Sequence, residues 1–194
     1  LPHNESLFQA LQSSQWRMVT LELEHCDHPP LVQVETTDLV SVLVIKHPLS
    51  LVLAQDDVID ERYPTIRTRT ANETEWWRFA RDDDHHHDNL DLKLLSCCGE
   101  KNTSVAQVVA AKELVKRTTF VLDIRCLDES LEALALLLGV SLHRSRLRHH
   151  PPPDKDYPFP NVYDYLERRN RLGIELYEFA KTLSLVKCHQ DRVP

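Results

Sequence analysis

Residues Leu39–Ile45 constrain the fold more than any other segment, because six of these seven consecutive residues are aliphatic. Nearly continuous runs of this kind are typical of strands that are buried on both faces, as in parallel sheets. Pro48 follows shortly afterwards, and proline is favoured in the first turn of a helix, where its missing N–H costs no hydrogen bond. The sequence therefore predicts a central parallel strand, a short turn, and a helix that continues with apolar spacing over 49–59.

The second half of the chain repeats this order of helix and strand. An amphipathic helix is predicted over Val105–Val115 with Thr103 or Ser104 as its cap, and Thr118–Ile124 is a second candidate for a buried strand. A further helix should end at Gly139. Alternation of this kind is typical of an α/β fold of three layers, in which a central parallel sheet is flanked by helices.

The length of 194 residues favours a single domain that spans the whole chain. Within it, residues 60–88 are interpreted as an insertion or lid-like loop, which the aromatic segment 75–79 would anchor to the domain. Apolar spacing predicts one long C-terminal helix over about 161–187, interrupted by Gly173.

Composition excludes some classes of function and leaves others open. The net charge of −7 argues against a general nucleic-acid-binding protein, whose affinity comes from Lys and Arg. The five cysteines show no zinc-like spacing, and disulfides within an even subset of them remain open. Three N-glycosylation sequons, at Asn4, Asn72 and Asn102, are consistent with a secretory location.

Lys46 is the first candidate for a binding residue, because it directly follows the predicted strand and precedes the predicted helix. At the carboxyl end of a parallel strand, helix N–H groups and a nearby cation together form a site for an anion such as phosphate. An ordinary strand–helix turn with a solvated lysine is the alternative interpretation, and the residues alone do not decide between the two.

Four segments of the chain carry a family resemblance, and they occur in the order Val42–Ser50, Asp88–Gly99, Phe120–Leu131 and Asn170–Lys181. Together they resemble segments of the Golgi carbohydrate sulfotransferases, and most closely the galactose 3-O- and uronosyl 2-O-sulfotransferase branch. The first segment resembles the 3′-phosphate motif of that family, a hydrophobic strand followed by Leu-Arg-Asp-Pro-x-x-Arg-x-x-Ser.

The resemblance implies an enzyme that transfers a sulfuryl group from 3′-phosphoadenosine 5′-phosphosulfate (PAPS) to a sugar hydroxyl. It implies a P-loop-like fold, whose 5′-phosphosulfate loop either precedes Leu1 or is absent, because none of the three glycines lies in a phosphate-loop motif. Lys46 takes the place of the arginine that binds the 3′-phosphate, and Ala54 takes the place of the phosphate-binding serine. Ser50 is then the candidate for a replacement hydroxyl.

The family also implies positions for the catalytic base and for further cations. By position the base is His25 or Glu24, with His28 close behind, and loop residues without a catalytic role are the alternative. Arg146 and Arg148, with Arg144, lie in a basic loop that would meet the 3′-phosphate or an anionic sugar, and a solvated basic loop is the alternative there. The same resemblance implies a glycan acceptor and a Golgi lumenal, type II membrane protein whose anchor lies outside this chain. A missing first strand would expose a sheet edge, which predicts poor solubility or pairing with a partner such as a second copy of the chain.

Two alternatives to the enzyme stay open. The first is a degenerate relative that keeps the fold and binds glycans or proteins without catalysis, which the Lys46 and Ala54 replacements favour. The second is a metal-binding module built on His85, His86 and His87, although such histidine runs also occur as solvated loops.

Overall fold

The computed structural model describes residues 40–53, 62–82, 88–96, 103–141 and 157–188. These residues form two β-strands, eight α-helices and one 3₁₀ turn. In chain order the elements are β1 (Val42–Ile45), α1 (Pro48–Val52), α2 (Pro64–Arg67), α3 (Glu73–Ala80), α4 (Leu90–Ser96), α5 (Val105–Arg117), β2 (Phe120–Asp123), the 3₁₀ turn (Ile124–Cys126), α6 (Leu127–Leu138), α7 (Pro160–Arg169) and α8 (Arg171–Thr182).

The two strands lie next to each other and run parallel, as the sequence predicts for an α/β protein. The predicted burial of the first strand on both faces is wrong, because Val42 and Val44 are 43% and 48% exposed. Their register places Val42 opposite Phe120 and Ile45 opposite Asp123, so both strands end at the same edge of the sheet. A parallel bridge from Val121 to Ser184 adds the segment that follows α8. The described part of the chain is therefore mostly helical, with a small parallel sheet of two strands.

Local sequence signals set several of the helix ends. Ser104 caps α5 in a reciprocal capping box with Gln107, which settles the choice between Thr103 and Ser104. Gly139 ends α6 in the left-handed conformation with φ of 64°, as the sequence predicts. A second capping box starts α3 at Asn72.

Two apolar clusters form the core of the described residues. One joins the sheet to α4, α5 and α8, and its members are Ile45, Leu92, Val108, Ala111, Val115, Val121, Leu176, Tyr177 and Ala180. The other is rich in aromatic residues and packs α1, α2 and α3 against α7; its largest members are Trp76, Phe79, Tyr63 and Tyr157. The segment from β1 to α1 connects the two clusters, because α1 belongs to the aromatic cluster and Ile45 belongs to the other.

Three expectations about secondary structure change. The helix expected over 49–59 is shorter, because α1 ends at Val52 and Leu53 is its C-cap. Residues 62–82, placed in an insertion or lid-like loop, carry the helices α2 and α3. Trp76 in the aromatic segment is only 1% exposed and packs in the core. The single helix expected over 161–187 is two helices, α7 and α8, which meet at Asn170. Asn170 is fully buried: its Nδ2 donates to the Leu166 carbonyl oxygen, and its Oδ1 accepts from the Asn89 N–H. One local and one tertiary hydrogen bond therefore hold the junction at which α7 ends.

A disulfide between Cys126 and Cys188 joins the 3₁₀ turn after β2 to the segment after α8. It fixes one pairing that the sequence left open. Among the described residues, no helix is long and apolar enough to cross a membrane.

Candidate functional site

The common carboxyl edge of β1 and β2 is the place where the polar side chains of the described sheet converge. Lys46 and His47 leave β1 there, directly beside Asp123 at the end of β2, because Ile45 and Asp123 are paired in the register. Ligands of parallel α/β folds bind at this edge. This edge is therefore the candidate ligand site of the described residues.

Asp123 is a fully buried carboxylate with a complete set of partners. The Arg125 guanidinium binds it through Nη2 at 2.6 Å and through Nε at 3.1 Å, both to Oδ2, while the Arg125 backbone N–H donates to Oδ1 at 2.9 Å. The Tyr177 hydroxyl, reaching in from α8, also donates to Oδ2 at 3.1 Å. Asp123 thus fixes Arg125 and α8 at the edge of the sheet.

His47 is a neutral histidine whose tautomer follows from its contacts. Its Nδ1 accepts a hydrogen bond from the backbone N–H of Leu49 at 3.3 Å, so the proton is carried on Nε2. The ring also packs edge-on against Tyr177, with 5.1 Å between the centroids. Burial lowers the pKa of His47 to about 4, against the opposing effect of Glu178, with Arg125 and Lys181 lowering it further. At neutral pH His47 is therefore a hydrogen-bond donor without charge.

Lys46 shares its surroundings with Asp91 of α4. Burial raises the pKa of the Asp91 carboxyl to about 7, and the positive charge of Lys46 opposes that rise. Near neutral pH the carboxyl is therefore only partly ionised, and the positive charge of Lys46 is only partly offset by it. The summed charge of Lys46 and Asp91 therefore changes between pH 6 and pH 8, because the Asp91 carboxyl loses its proton in this range.

A cavity of about 230 Å³ opens next to Asp123, between the end of α8 and the segment that leads to Cys188. Lys181 and Lys187 line it, as does Glu178. Lys187 Nζ donates to two carbonyl oxygens at the end of α8, and Lys181 Nζ lies 3.1 Å from Glu178. The cations of this cavity therefore already have partners within the protein.

The turn between β1 and α1 corrects one part of the anion-site prediction. The N–H of Leu49 is bound by His47 Nδ1, and the N–H of Ser50 donates to the His47 carbonyl oxygen at 2.9 Å. These first-turn N–H groups are thus satisfied inside the turn, so they do not form the predicted backbone part of an anion site. What the turn offers an anion is the side chains of Lys46 and Ser50.

The structure describes only some of the predicted site residues. Lys46 and Ser50 lie four residues apart in the β1–α1 turn and the first turn of α1, and both are half-buried. The other candidates lie outside the described residues: His25, Glu24, His28, Ala54, His85, His86, His87, Arg144, Arg146 and Arg148. In the ranges that are described, no cluster of three side chains suited to a metal ion occurs.

Sequence reasoning missed Asp91, Asp123 and Tyr177. One signal was available, because Asp123 is a charged residue in an otherwise apolar strand, and a buried charge requires a partner. Tyr177 and Asp91 gave no comparable signal, since each looks like an ordinary position on an amphipathic helix.

No protein-family model, curated protein or solved structure matches the chain. The inference of function therefore rests on the residues of the chain itself.

Proposed function

We propose that this chain is part of a carbohydrate sulfotransferase that uses PAPS, and that the turn from β1 to α1 binds the 3′-phosphate of the nucleotide. One observation carries the proposal. Lys46 leaves the carboxyl end of a parallel strand, at the position where the family motif has its phosphate-binding arginine. Ser50, in the first turn of the helix that follows, is the replacement for the hydroxyl of the motif serine, whose position is occupied by Ala54. The three-layer, P-loop-like fold belongs to the same proposal.

Each side chain in the turn has a defined role in this proposal. Lys46 contributes a point charge to the phosphate, and Ser50 contributes a hydroxyl donor. His47 holds the turn closed by capping α1 and keeps Nε2–H as a neutral donor. Asp91 competes with the phosphate for Lys46 when it is ionised and competes less when it is protonated.

The chemistry is an in-line transfer that needs no redox step. The bond between sulfur and the 5′-phosphate oxygen breaks, a bond forms between sulfur and the acceptor hydroxyl oxygen, and the hydroxyl proton passes to a general base. His25 or Glu24 is that base in the proposal, and Arg146 and Arg148 balance the charge of the nucleotide. The acceptor is a galactoside or a glycosaminoglycan-like glycan.

A Golgi lumenal location, with a membrane anchor outside this chain, completes the proposal. The disulfide between Cys126 and Cys188 supports it, because such bonds persist in oxidising compartments and are rare in the cytosol.

A binding module without catalysis is the second candidate, and specific observations favour it. Lys46 cannot form the bidentate hydrogen bonds that arginine forms with phosphate, and Ala54 has no hydroxyl to donate. The carboxyl of Asp91 near Lys46 also disfavours an anion above pH 7. Such a module would bind glycans or proteins and would not bind the nucleotide.

Calorimetric titration with 3′-phosphoadenosine 5′-phosphate, the product nucleotide, tests the proposal. We expect it to bind more tightly than adenosine 5′-phosphate, which lacks the 3′-phosphate, and we expect Lys46→Met to weaken it about tenfold. Lys116→Met is the matched control, because Lys116 is an exposed lysine at the end of α5. Equal affinity for the two nucleotides, or no binding at millimolar concentration, would contradict the enzyme and favour the binding module.

The variant Asp91→Asn, titrated with the same nucleotide, tests whether the 3′-phosphate binds near Lys46. Above pH 7 the wild-type carboxyl is ionised and opposes the nucleotide, so the variant should bind the product nucleotide more tightly than the wild type at pH 8 and about equally at pH 6. An identical pH dependence in both proteins would show that the 3′-phosphate does not lie near Lys46.

A further inference from the structure

A second cavity, of about 400 Å³, lies where the end of α7 and the start of α8 meet the segment that precedes α5. It shares no lining residue with the cavity beside Asp123. Among the residues that the structure describes, its lining consists of Asn89, Thr103, Arg168, Arg169, Arg171 and Leu172, so three arginines and no acidic residue of this part of the chain face it.

Asn89 is the lining residue that hydrogen bonds fix most completely in this cavity. It is buried and has a φ of 52°, an unusual value for a residue other than glycine, and four hydrogen bonds hold it there. Its N–H donates to Asn170 Oδ1, its Nδ2 donates to Thr103 Oγ1 and to the Arg169 carbonyl, and its Oδ1 accepts from the Gly173 N–H at 2.7 Å. The junction of α7 and α8 is thereby fixed to Thr103.

The arginines divide into one structural and two exposed side chains. Arg169 binds Asp88 at 2.7 Å and the Ala80 carbonyl at 3.2 Å, which ties it to the protein. Arg168 and Arg171 are exposed, and neither forms an ion pair with any other residue that the structure describes. The cavity therefore carries two guanidinium groups whose hydrogen-bond donors can meet a ligand.

Thr103 adds a neutral donor to the same cavity. Its Oγ1 accepts the hydrogen bond from Asn89 Nδ2 at 3.0 Å, and a hydroxyl that accepts in this way can still donate its own hydrogen. A hydroxyl donor beside two planar guanidinium groups is a donor set suited to a tetrahedral oxyanion, since arginine binds such anions through paired N–H groups.

We propose that this cavity binds a small molecule that carries a phosphate or sulfate ester, through Arg168, Arg171 and Thr103. The chain as a whole is acidic, with a net charge of −7, so a local group of arginines around one concave surface is not a consequence of composition. The cavity also exceeds the size of one tetrahedral anion, which leaves room for the organic group of an ester. This inference does not depend on the proposed sulfotransferase activity.

Amide chemical shifts of the full ¹⁵N-labelled chain test the site directly. Sodium sulfate and sodium phosphate, compared with sodium chloride at equal ionic strength, should cause saturable shifts at Thr103 and at 170–172. The double variant Arg168→Gln, Arg171→Gln should weaken the binding at least about tenfold. Arg117→Gln is the matched control, because Arg117 is exposed at the far end of α5, and it should bind as the wild type does.

Three sugars then identify the ligand class. Glucose 6-phosphate and glucose 6-sulfate should bind at the same amides, and the tighter of the two names the source of the oxyanion, whereas glucose should have no effect. Unchanged binding by the double variant, no shifts at these amides, or equal shifts with glucose would overturn the proposal. If the double variant fails to fold, Arg168→Lys and Arg171→Lys replace it, and each should bind several-fold more weakly because lysine lacks the paired donors.

Discussion

Asp123 shows how one residue can organise the carboxyl edge of the sheet. Its carboxylate is fully buried and is bound by Arg125 and by the Tyr177 hydroxyl. Removing one member of a buried ion pair leaves the other charge uncompensated, which costs more than losing a neutral hydrogen bond. The substitutions Asp123→Asn and Tyr177→Phe should therefore have unequal effects.

We expect Asp123→Asn to lower the free energy of unfolding by about 3 kcal/mol and Tyr177→Phe to lower it by about 1 kcal/mol. Urea unfolding followed by tryptophan fluorescence measures both. A loss from Asp123→Asn no larger than that from Tyr177→Phe would mean that Arg125 is stabilised by something other than Asp123.

Asp91 should give the protein a stability that falls as the pH rises. Its pKa is about 7 in the folded protein against 3.8 in an unfolded chain, so the folded state binds more protons between these values. The contribution is complete below about pH 4 and is lost as the pH rises to about 7, by up to about 1.4 kcal/mol per pH unit. Urea unfolding of wild type and Asp91→Asn at several pH values isolates it, because only the wild type should lose this contribution over that range.

His47 should act in the opposite direction over nearly the same range. Its pKa falls from 6.5 in an unfolded chain to about 4 in the folded protein, so stability is complete above about pH 6.5 and is lost as the pH falls towards 4. His47→Asn removes the titrating group and keeps a side-chain oxygen to cap α1. The variant should lose less stability than the wild type between pH 6.5 and pH 4; equal losses would show that His47 is not buried in its neutral form.

At the scale of single elements, two glycines differ in the reason for their presence. Gly139 ends α6 with a φ of 64°, whereas Gly173 lies inside α8, where an added Cβ would meet Asn89 and Pro48 at 3.4 Å. Gly139→Ala should cost about 1 kcal/mol because alanine is disfavoured in the left-handed region. Gly173→Ala should be neutral or stabilise by up to about 1 kcal/mol, since alanine favours helix and 3.4 Å is a tolerable contact.

Thermal unfolding of the two variants, with Gly173→Leu as a third, checks this pair. Leucine at position 173 should destabilise the protein, because the larger side chain would push Asn89 and Pro48 apart. A stabilising Gly139→Ala would show that α6 does not end in the left-handed conformation in solution.

The elements that the sequence predicts well are those with local signals. The start of α5 at Ser104 and the end of α6 at Gly139 follow from the chemistry of caps, which involves residues only a few positions apart. The break between α7 and α8 could not be predicted in this way. Apolar spacing continues through Asn170, and the hydrogen bond that holds its side chain comes from Asn89, 81 residues earlier.

The same division holds for the candidate site. The position of Lys46 at the end of β1 followed from a strand and a proline close by in sequence. The hydrogen bond from Tyr177 to Asp123 joins residues 54 positions apart, and nothing in the sequence around either residue indicates the other as its partner. The hydrogen bond from the Leu49 N–H to His47 Nδ1 could not be predicted from the sequence either, because it depends on the orientation of the His47 ring over the first turn of α1.

For the whole molecule, the disulfide is the covalent tie that holds the C-terminal segment to the sheet. Cys126 lies in the 3₁₀ turn directly after β2, and Cys188 follows the segment whose backbone pairs with Val121 through Ser184 and Leu185. The disulfide and the backbone pairing reinforce each other, since both join the segment after α8 to β2 or to the turn directly after it. Losing the bond should therefore loosen the cavity between Asp123 and Lys187 as well as the fold.

Replacing both cysteines, Cys126→Ser with Cys188→Ser, should lower the free energy of unfolding by about 4 kcal/mol, as loop entropy gives for cysteines 62 residues apart. Urea unfolding with and without a reducing agent measures the effect, and the reducing agent should change the wild type but not the double variant. The amide of Leu185, which donates to the Val121 carbonyl at 2.8 Å, should lose hydrogen-exchange protection in the variant more than the amides of α5 do. Equal protection at Leu185 in the two proteins would mean that the parallel bridge holds this segment without the disulfide.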